Sequence, residues 1–208
     1  MQWFRRLADA PGLSYEGSPT VDRRRLTGHD FEPEVLEFEL KGKSRLALEW
    51  PTPDGDSTSE SPVYQRISGF DEDPAPREAL RWLEETLELP GELSDYYYAI
   101  QVACRAIYEG RREDPSLLKE VERLNQLDIE LVESYPKRVG FEPERSSSTY
   151  LFAYERLVEL YAGEGYFHEA LEVAERGLRM SQWDLSLSLA VERLHLVLEE
   201  LQAEDVGR

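Results

Sequence analysis

The feature that most constrains this chain is a helical spacing of apolar residues that begins near Asp73 and continues to the end of the sequence. Leu80, Leu83 and Leu87 fall at positions i, i+3 and i+7, which share one face of an α-helix. Asp73 with the prolines after it is a typical helix start, and Pro90-Gly91 is a typical end. Further helices are predicted from Ser94 or Asp95 to Gly110, from Leu117 to Pro136, and over 149–162, 166–180 and 184–201.

Residues 35–50 have a different spacing, with apolar residues at every second position, which is typical of β-strands. The alternating apolar residues are Leu36, Phe38 and Leu40 in one run and Leu46, Leu48 and Trp50 in the other. Between the runs, Lys41-Gly42-Lys43 predicts a three-residue hairpin loop with its glycine in the left-handed backbone region. A two-stranded hairpin is only marginally stable in water, so we expect it to pair with a third strand or to pack against the helices.

The residues around the hairpin carry weaker signals. Thr52 to Pro62 is predicted to be a solvated loop, and Val63–Ser68 is a candidate third strand. The first thirty residues are predicted to be irregular, apart from a short helical turn around Trp3 to Leu7. We interpret the basic cluster at 23–25 as a solvated turn or an internal salt-bridge partner rather than a nucleic-acid contact.

Together these patterns predict an α+β protein. A small antiparallel hairpin or sheet is expected in a β-rich N-terminal part, residues 1–72, and an antiparallel array of helices in residues 73–208.

The charge of the chain separates classes of partner. Acidic residues number 43 and basic residues 24, giving a net charge of −19, which disfavours direct binding to duplex DNA or to an anionic membrane.

No apolar run is long enough for a signal peptide or a membrane-spanning helix, so a cytoplasmic protein is expected. The single cysteine, Cys104, forms no intrachain disulfide and is interpreted as a small buried apolar residue. Composition does not predict the oligomeric state.

No motif for a metal, a cofactor or catalysis stands out. His29, His168 and His195 are far apart and lack zinc-site spacing. The segment that opens at Asp54 resembles the start of a calcium loop, but Ser59 and Gln65 replace the required glycine and glutamate. We therefore expect a non-enzymatic protein without a cofactor.

A motif in the last third of the chain is more informative. It reads Tyr154-x-x-Leu157-x-x-x-Tyr161-x-x-x-Gly165-x-Phe167-x-x-Ala170-x-x-x-Ala174-x-x-Gly177-Leu178. This segment resembles one tetratricopeptide repeat, although Val158 and Gln182 stand where that family usually has a small residue and a proline. The helix pair upstream of it, which ends at Pro136, resembles a degenerate repeat. The alternative is an ordinary antiparallel helix pair.

The resemblance implies a function as well as a fold. Tetratricopeptide repeats bind a peptide or protein segment in a concave groove lined by the first helix of each pair. On the matched repeat the groove positions are Phe152, Glu155, Arg156 and Glu159, and on the upstream pair a comparable stripe is formed by Tyr98, Gln101, Arg105 and Tyr108. In the alternative interpretation, these tyrosines fill the core and the charged residues are only solvated. The helix from Asp184 is interpreted as a cap on the repeat.

Three functional hypotheses remain at this point. The first is a protein- or peptide-binding module that acts as an adaptor or regulator. The second is an acidic inhibitor or immunity-type protein that covers a basic surface of its partner, which carboxylates clustered on one face would favour. The third is a small-ligand sensor or an enzyme whose site is assembled only in space.

Overall fold

The computed structural model describes residues 2–41, 43–70, 74–141, 151–182 and 184–206. It confirms the predicted α+β class, with a small antiparallel sheet near the N-terminus and a helical array after it. The chain divides into two compact units, an N-terminal unit (Met1–Val139) and a C-terminal unit (Gly140–Arg208). The boundary predicted at 72/73 falls inside the N-terminal unit, whereas this division lies between helical segments.

The bounds of the elements are as follows. The N-terminal unit contains the strands β1 (Trp3–Phe4), β2 (Glu34–Leu40), β3 (Lys43–Pro51), β4 (Ser57–Thr58) and β5 (Gly91–Glu92), and the helices α1 (Pro62–Ser68), α2 (Pro76–Leu87), α3 (Leu93–Gly110) and α4 (Leu118–Ser134). The C-terminal unit contains α5 (Phe152–Gly163), α6 (Phe167–Met180) and α7 (Leu185–Val206).

The predicted hairpin is formed by β2 and β3, which pair in unbroken antiparallel register. Leu40 lies opposite Lys43, so the connection has two residues rather than the expected three. Lys41 takes the positive φ, at 53°, and Gly42 lies outside the described residues. Only the far end of β3 is anchored in the core, through Leu48 and Trp50. The ring of Trp3 meets Trp50 edge-on, with centroids 5.6 Å apart.

The third strand was predicted in the wrong place. Val63–Ser68 belongs to the helix α1, because Pro62 occupies its first turn and the Ser61 hydroxyl accepts a hydrogen bond from the Tyr64 N–H at 3.1 Å. The strand that joins the hairpin is β4, inside the predicted solvated loop, where Thr58 pairs with Trp50.

The predicted helical turn around Trp3 is also wrong. Trp3 and Phe4 form β1, which pairs with β5, and the helical turn follows later as a short 3₁₀ segment at Leu7–Asp9. This pairing joins residues almost ninety positions apart, so the start of the chain is part of the fold.

The carboxylate of Glu88, just after α2, holds the rest of the N-terminal segment. Glu88 is only 3% exposed. Its carboxylate accepts hydrogen bonds from the Tyr15 hydroxyl at 3.0 Å and the Ser18 backbone N–H at 2.9 Å, and the Arg6 guanidinium lies 3.5 Å away. The Glu88 carbonyl accepts a further bond from Arg23 Nε at 2.9 Å. Residues predicted to be irregular are therefore tied to one buried acid.

The basic cluster at 23–25 forms a single 3₁₀ turn. The guanidinium of Arg23 donates to the backbone carbonyls of Arg5 and His29, at 2.8 Å each, as well as to Glu88. Arg24 lies 3.5 Å from Asp22. At least one arginine of the cluster is thus used inside the fold.

The helices of the N-terminal unit follow the predicted spacing, with α3 packed against both α2 and α4. Leu83, Ile100 and Leu124 are fully buried, and Cys104 on α3 is buried as predicted. The predicted start at Asp73 lies outside the described residues, and α2 begins at Pro76.

The N-terminus of α3 links three elements through Asp95. The cap was predicted at Ser94 or Asp95, but Glu92 occupies it and forms a capping box with Asp95. The Asp95 carboxylate accepts hydrogen bonds from the Glu92 N–H at 3.1 Å and from the Ser61 hydroxyl at 2.6 Å. Because Ser61 also caps α1, one carboxylate connects the starts of both helices.

Buried carboxyls make the stability of this unit depend on pH. Burial raises the pKa of Asp95, although hydrogen bonds from Ser61, Glu92 and Ser94 oppose the shift, and burial also raises the pKa values of Glu92 and Glu84. The folded state binds these protons more tightly than the unfolded state does. Their stabilising contribution is therefore complete below the ordinary carboxyl pKa, near about 4, and is lost as the pH rises through the raised values.

We expect the melting temperature to fall as the pH is raised from about 4 through the raised pKa values of these carboxyls. Asp95→Asn, which cannot ionise, is expected to reduce this slope in thermal unfolding followed by circular dichroism. Asp54→Asn is the control, because Asp54 is an exposed loop residue and its substitution removes the same formal charge. Identical slopes in the two variants would show that net charge, rather than Asp95, causes the dependence.

The C-terminal unit is built around α6, which packs against both α5 and α7. A three-residue turn reverses the chain between α5 and α6, and Gly165 takes a φ of +85° there, as a tight turn requires. Tyr154 on α5 and Ala170 and Ala174 on α6 are fully buried. The helix predicted from Thr149 begins at Phe152, and positions 149 and 150 lie outside the described residues.

Gly177 on α6 lies close to side chains of both neighbouring helices. A Cβ atom at this position would lie 2.5 Å from Leu187 Cδ1 on α7 and 3.1 Å from Tyr154 Cδ1 on α5. A side chain on residue 177 would therefore clash with Leu187 of α7 and make a tight contact with the ring of Tyr154 on α5.

Candidate functional site

An open groove of about 410 Å³ runs between α5 and α7 of the C-terminal unit. Most of its lining is apolar, with Phe167 contributed by α6. The apolar lining residues are Val158, Ala162, Phe167, Leu187, Leu189, Ala190, Leu194 and Val197, and the polar ones are Glu155, Glu159, Ser186 and Arg193. A groove of this size and composition suits a few side chains of a peptide.

Helical spacing places these residues together. On α5 the lining positions 155, 158, 159 and 162 follow the i, i+3, i+4, i+7 pattern of one helix face. On α7 the positions 186, 189, 190, 193 and 197 follow the same pattern with one further turn at i+11. The start of α7 is fixed by Asp184, whose carboxylate accepts a hydrogen bond from the Leu187 N–H at 2.9 Å.

The carboxylates of Glu155, Glu159 and Asp184 lie close enough to repel one another, with the guanidinium of Arg156 also near Glu155. Partial burial raises the pKa of Glu155, and the nearby carboxylates of Asp184 and Glu159 raise it further, against a hydrogen bond with Ser186 that lowers it. A cationic group placed here would offset the repulsion among the three carboxylates. Arg193 lines the same groove.

Two of the four predicted groove residues on the matched repeat line this groove, namely Glu155 and Glu159. Phe152 is exposed but is not among the lining residues, and the guanidinium of Arg156 lies over its ring, 5.7 Å from the centroid. The predicted positions Glu155 and Glu159 therefore lie on the face of α5 that lines the groove, while Phe152 and Arg156 contact each other. Their role in binding stays a prediction.

The predicted stripe on α3 belongs to the N-terminal unit. Tyr98 is 52% exposed and Arg105 pairs with Glu109 at 3.3 Å on the same helix. Gln101 donates a hydrogen bond to Asp128 of α4, and the Arg111 guanidinium lies 3.5 Å from the centroid of the Tyr108 ring. Tyr98 and Arg105 thus remain at the surface, whereas Gln101 and Tyr108 are engaged within the unit. The binding role of this stripe stays a prediction.

The contribution of α7 to the groove was not predicted. Its interpretation as a cap accounts for Leu187 and Leu194, which are buried seven positions apart. A second row of leucines, Leu185, Leu189 and Leu196, is exposed, and Leu189 of this row lines the groove. The sequence did contain a signal for this second exposed row, because α7 has more leucines than a single helix face can bury.

The described residues contain neither a candidate metal centre nor a membrane-spanning helix. No group of three or more His, Cys, Asp or Glu side chains is arranged there to hold a metal ion, and no described helix is long and apolar enough to cross a membrane. The chain matches no known protein family, no curated protein and no solved structure.

Proposed function

We propose that the chain is a non-enzymatic, cytoplasmic protein- or peptide-binding module, similar to tetratricopeptide repeat proteins, and that the α5–α7 groove receives its partner. The observation that supports this most is the groove itself, an open apolar channel with the carboxylates of Glu155 and Glu159 in its lining. Apolar surface that is concave and solvent-accessible is the usual setting for binding a ligand or a peptide.

The lining of the groove also suggests the chemistry of the bound segment. Each large apolar side chain of the bound segment that is fully buried contributes about 1.5–3 kcal/mol to the binding free energy. The apolar lining of the groove therefore favours leucine or aromatic residues in that segment. The carboxylates around Glu155 favour a Lys or Arg in the same segment, because opposite charge is most effective where water is partly excluded. We therefore expect the partner to present apolar and basic side chains together.

A peptide selection tests this proposal. The full chain is screened against a random peptide library, and we expect enrichment of peptides that combine apolar residues with Lys or Arg. Leu189→Ser is expected to weaken the selected peptides about tenfold, because it removes one buried apolar contact. Affinity is measured by isothermal titration calorimetry. Tyr98→Ala and Phe152→Ala in the same panel test the two predicted stripes.

Leu196→Ser is the matched control. Leu196 lies on the same helix and is 60% exposed, against 48% for Leu189, but it does not line the groove. An equal loss of affinity in the two serine variants, or no loss in either, would place the binding surface elsewhere and reject the groove.

An acidic inhibitor remains the second candidate because one local observation favours it. Glu34 lies directly opposite Glu49 across the β2–β3 pair, and Glu32 and Asp56 line the same shallow hollow of about 470 Å³. Like charges opposite each other destabilise a strand pair, and a basic partner would relieve them. Steeply salt-dependent binding to a basic protein, unchanged by Leu189→Ser, would favour this candidate over the groove.

A further inference from the structure

The outer edge of β2 is a second candidate interaction surface, distinct from the groove. In the described part of the chain no strand pairs with this edge, and all of β2 is exposed. The strand has seven residues, contains no proline, and shows no bulge in its register with β3. Soluble proteins usually shorten, bend or cover such edges, since a long regular edge accepts another strand.

The two faces of β2 differ in chemistry. One carries an apolar row, Leu36, Phe38 and Leu40, whose members are 40%, 44% and 50% exposed. The other carries a carboxylate row, Glu37 and Glu39. Residues that lie opposite each other in an antiparallel pair share a face, so an added strand would present alternate side chains to the two rows.

Charges on β3 determine which side chains suit which face. Arg45 lies opposite Phe38 and Lys43 lies opposite Leu40, so two cations border the apolar row. A basic side chain added to that face beside Phe38 or Leu40 would be repelled, since only the far end of the face carries acids, Glu34 and Glu49. On the opposite face it would meet the carboxylate row. The favoured arrangement therefore places apolar residues against the apolar row and Lys or Arg against the carboxylate row.

A second copy of the chain fits this edge poorly. If two β2 strands paired antiparallel with their apolar rows aligned on Phe38, Glu37 of each copy would lie opposite Glu39 of the other. Like charges directly opposite each other are destabilising, and the net charge of −19 opposes association further. The same carboxylates that disfavour a self-pair attract a basic strand.

We propose that the outer edge of β2 binds, by strand addition, an extended segment of another protein in which apolar residues alternate with Lys or Arg. Backbone hydrogen bonds along the edge supply affinity, and the two rows supply specificity and register. This surface is independent of the α5–α7 groove.

The test uses the full chain and a fluorescent peptide of alternating lysine and valine, about as long as β2. We expect saturable binding in fluorescence anisotropy, and slower amide exchange in β2 when the peptide is bound. The double variant Glu37→Lys/Glu39→Lys is expected to weaken binding about tenfold or more, because two attractive cross-strand pairs become repulsive. A peptide with prolines in place of the central valines keeps its charge but cannot pair as a strand, and it is expected to lose most of its affinity.

Two controls separate strand addition from general attraction to an acidic protein. Glu16→Lys/Glu113→Lys changes the net charge by the same amount at exposed positions of the same unit and should leave the affinity within about twofold. Leu189→Ser alters only the groove and should have no effect. Equal weakening by the two charge-reversed variants, full affinity for the proline peptide, or protection outside β2 would each overturn the proposal.

Discussion

Gly177→Val is expected to unfold the C-terminal unit. The new Cβ would lie 2.5 Å from Leu187 Cδ1 and 3.1 Å from the ring of Tyr154, and both neighbours are nearly or fully buried. Both side chains are packed in the interior, so making room for valine disturbs the contacts of α6 with α5 and α7, and we expect a loss of about 3 kcal/mol, at the upper end of overpacking effects. Urea unfolding measures the loss, and hydrogen exchange should show it in α5, α6 and α7 first. Peptide binding in the groove should disappear with it.

Gly163→Ala is the matched glycine substitution. Gly163 is the last residue of α5, its φ is not positive, and a Cβ atom there would have nothing within 4 Å. Alanine at this position should be neutral or stabilise by up to about 1 kcal/mol, because it restricts the unfolded chain. If Gly177→Val were as stable as Gly163→Ala, the close approach of the three helices would be refuted.

The second large effect is expected for Glu88→Ala. Burial beside Glu88 raises the pKa of Tyr15 well above its ordinary value, so the Tyr15 hydroxyl stays protonated and donates to the carboxylate. Truncation to alanine leaves this hydroxyl and the Ser18 N–H without their acceptor, and Arg6 without its buried counter-charge. We expect a loss of about 3 kcal/mol, typical of breaking a buried charged network from one side.

Release of the N-terminal segment gives this variant a second readout. Trypsin cleaves after arginine. Glu88→Ala removes the side-chain bonds to Tyr15 and Ser18 that hold the segment before the turn at 23–25, so it should be cut there faster than the parent chain, although Arg23 keeps its bond to the backbone carbonyl of residue 88. Tyr15→Phe should lose about 1 kcal/mol, since it removes one donor only. Glu78→Ala, an exposed acid on α2, should change neither stability nor cleavage by much. Unchanged cleavage in Glu88→Ala would show that other contacts hold the segment.

Most helices and the hairpin could be predicted because their signals are local. The spacing of Leu80, Leu83 and Leu87 requires only neighbouring positions, and the alternation around Leu36 and Phe38 defines a strand in the same way. Segments as short as Val63–Ser68 contain too few positions to distinguish the two periods. There, the Ser61-Pro62 helix start was the better signal.

The errors at the start of the chain have a different cause, which is separation in sequence. Nothing near Trp3 indicates a strand, because its partner Glu92 belongs to a different part of the chain. In the sequence, Glu88 is one of many acidic residues near a helix end. Its role is evident only in the folded structure, where Tyr15 and Ser18 donate hydrogen bonds to its carboxylate. Long-range polar contacts of this kind produce no periodic pattern of residue types in the local sequence.

The candidate site was partly predictable. The resemblance placed Glu155 and Glu159 on the surface that faces the groove, whereas spacing alone could not identify the opposite wall. That wall is α7, where leucines cover more than one side of the helix, and burial is needed to separate Leu187 from Leu189. The edge of β2 had a clear alternating pattern, but its exposure depends on which strand pairs with which.

The buried position of Cys104 on α3 has a practical consequence for studying this protein in solution. It is the single thiol of the chain, and a thiol reagent can reach it only when the helices around it separate. The rate of labelling by such a reagent therefore reports how often the N-terminal unit opens, with no background from the C-terminal unit. One unmodified residue thus gives access to the internal motions of the larger of the two units without an engineered probe.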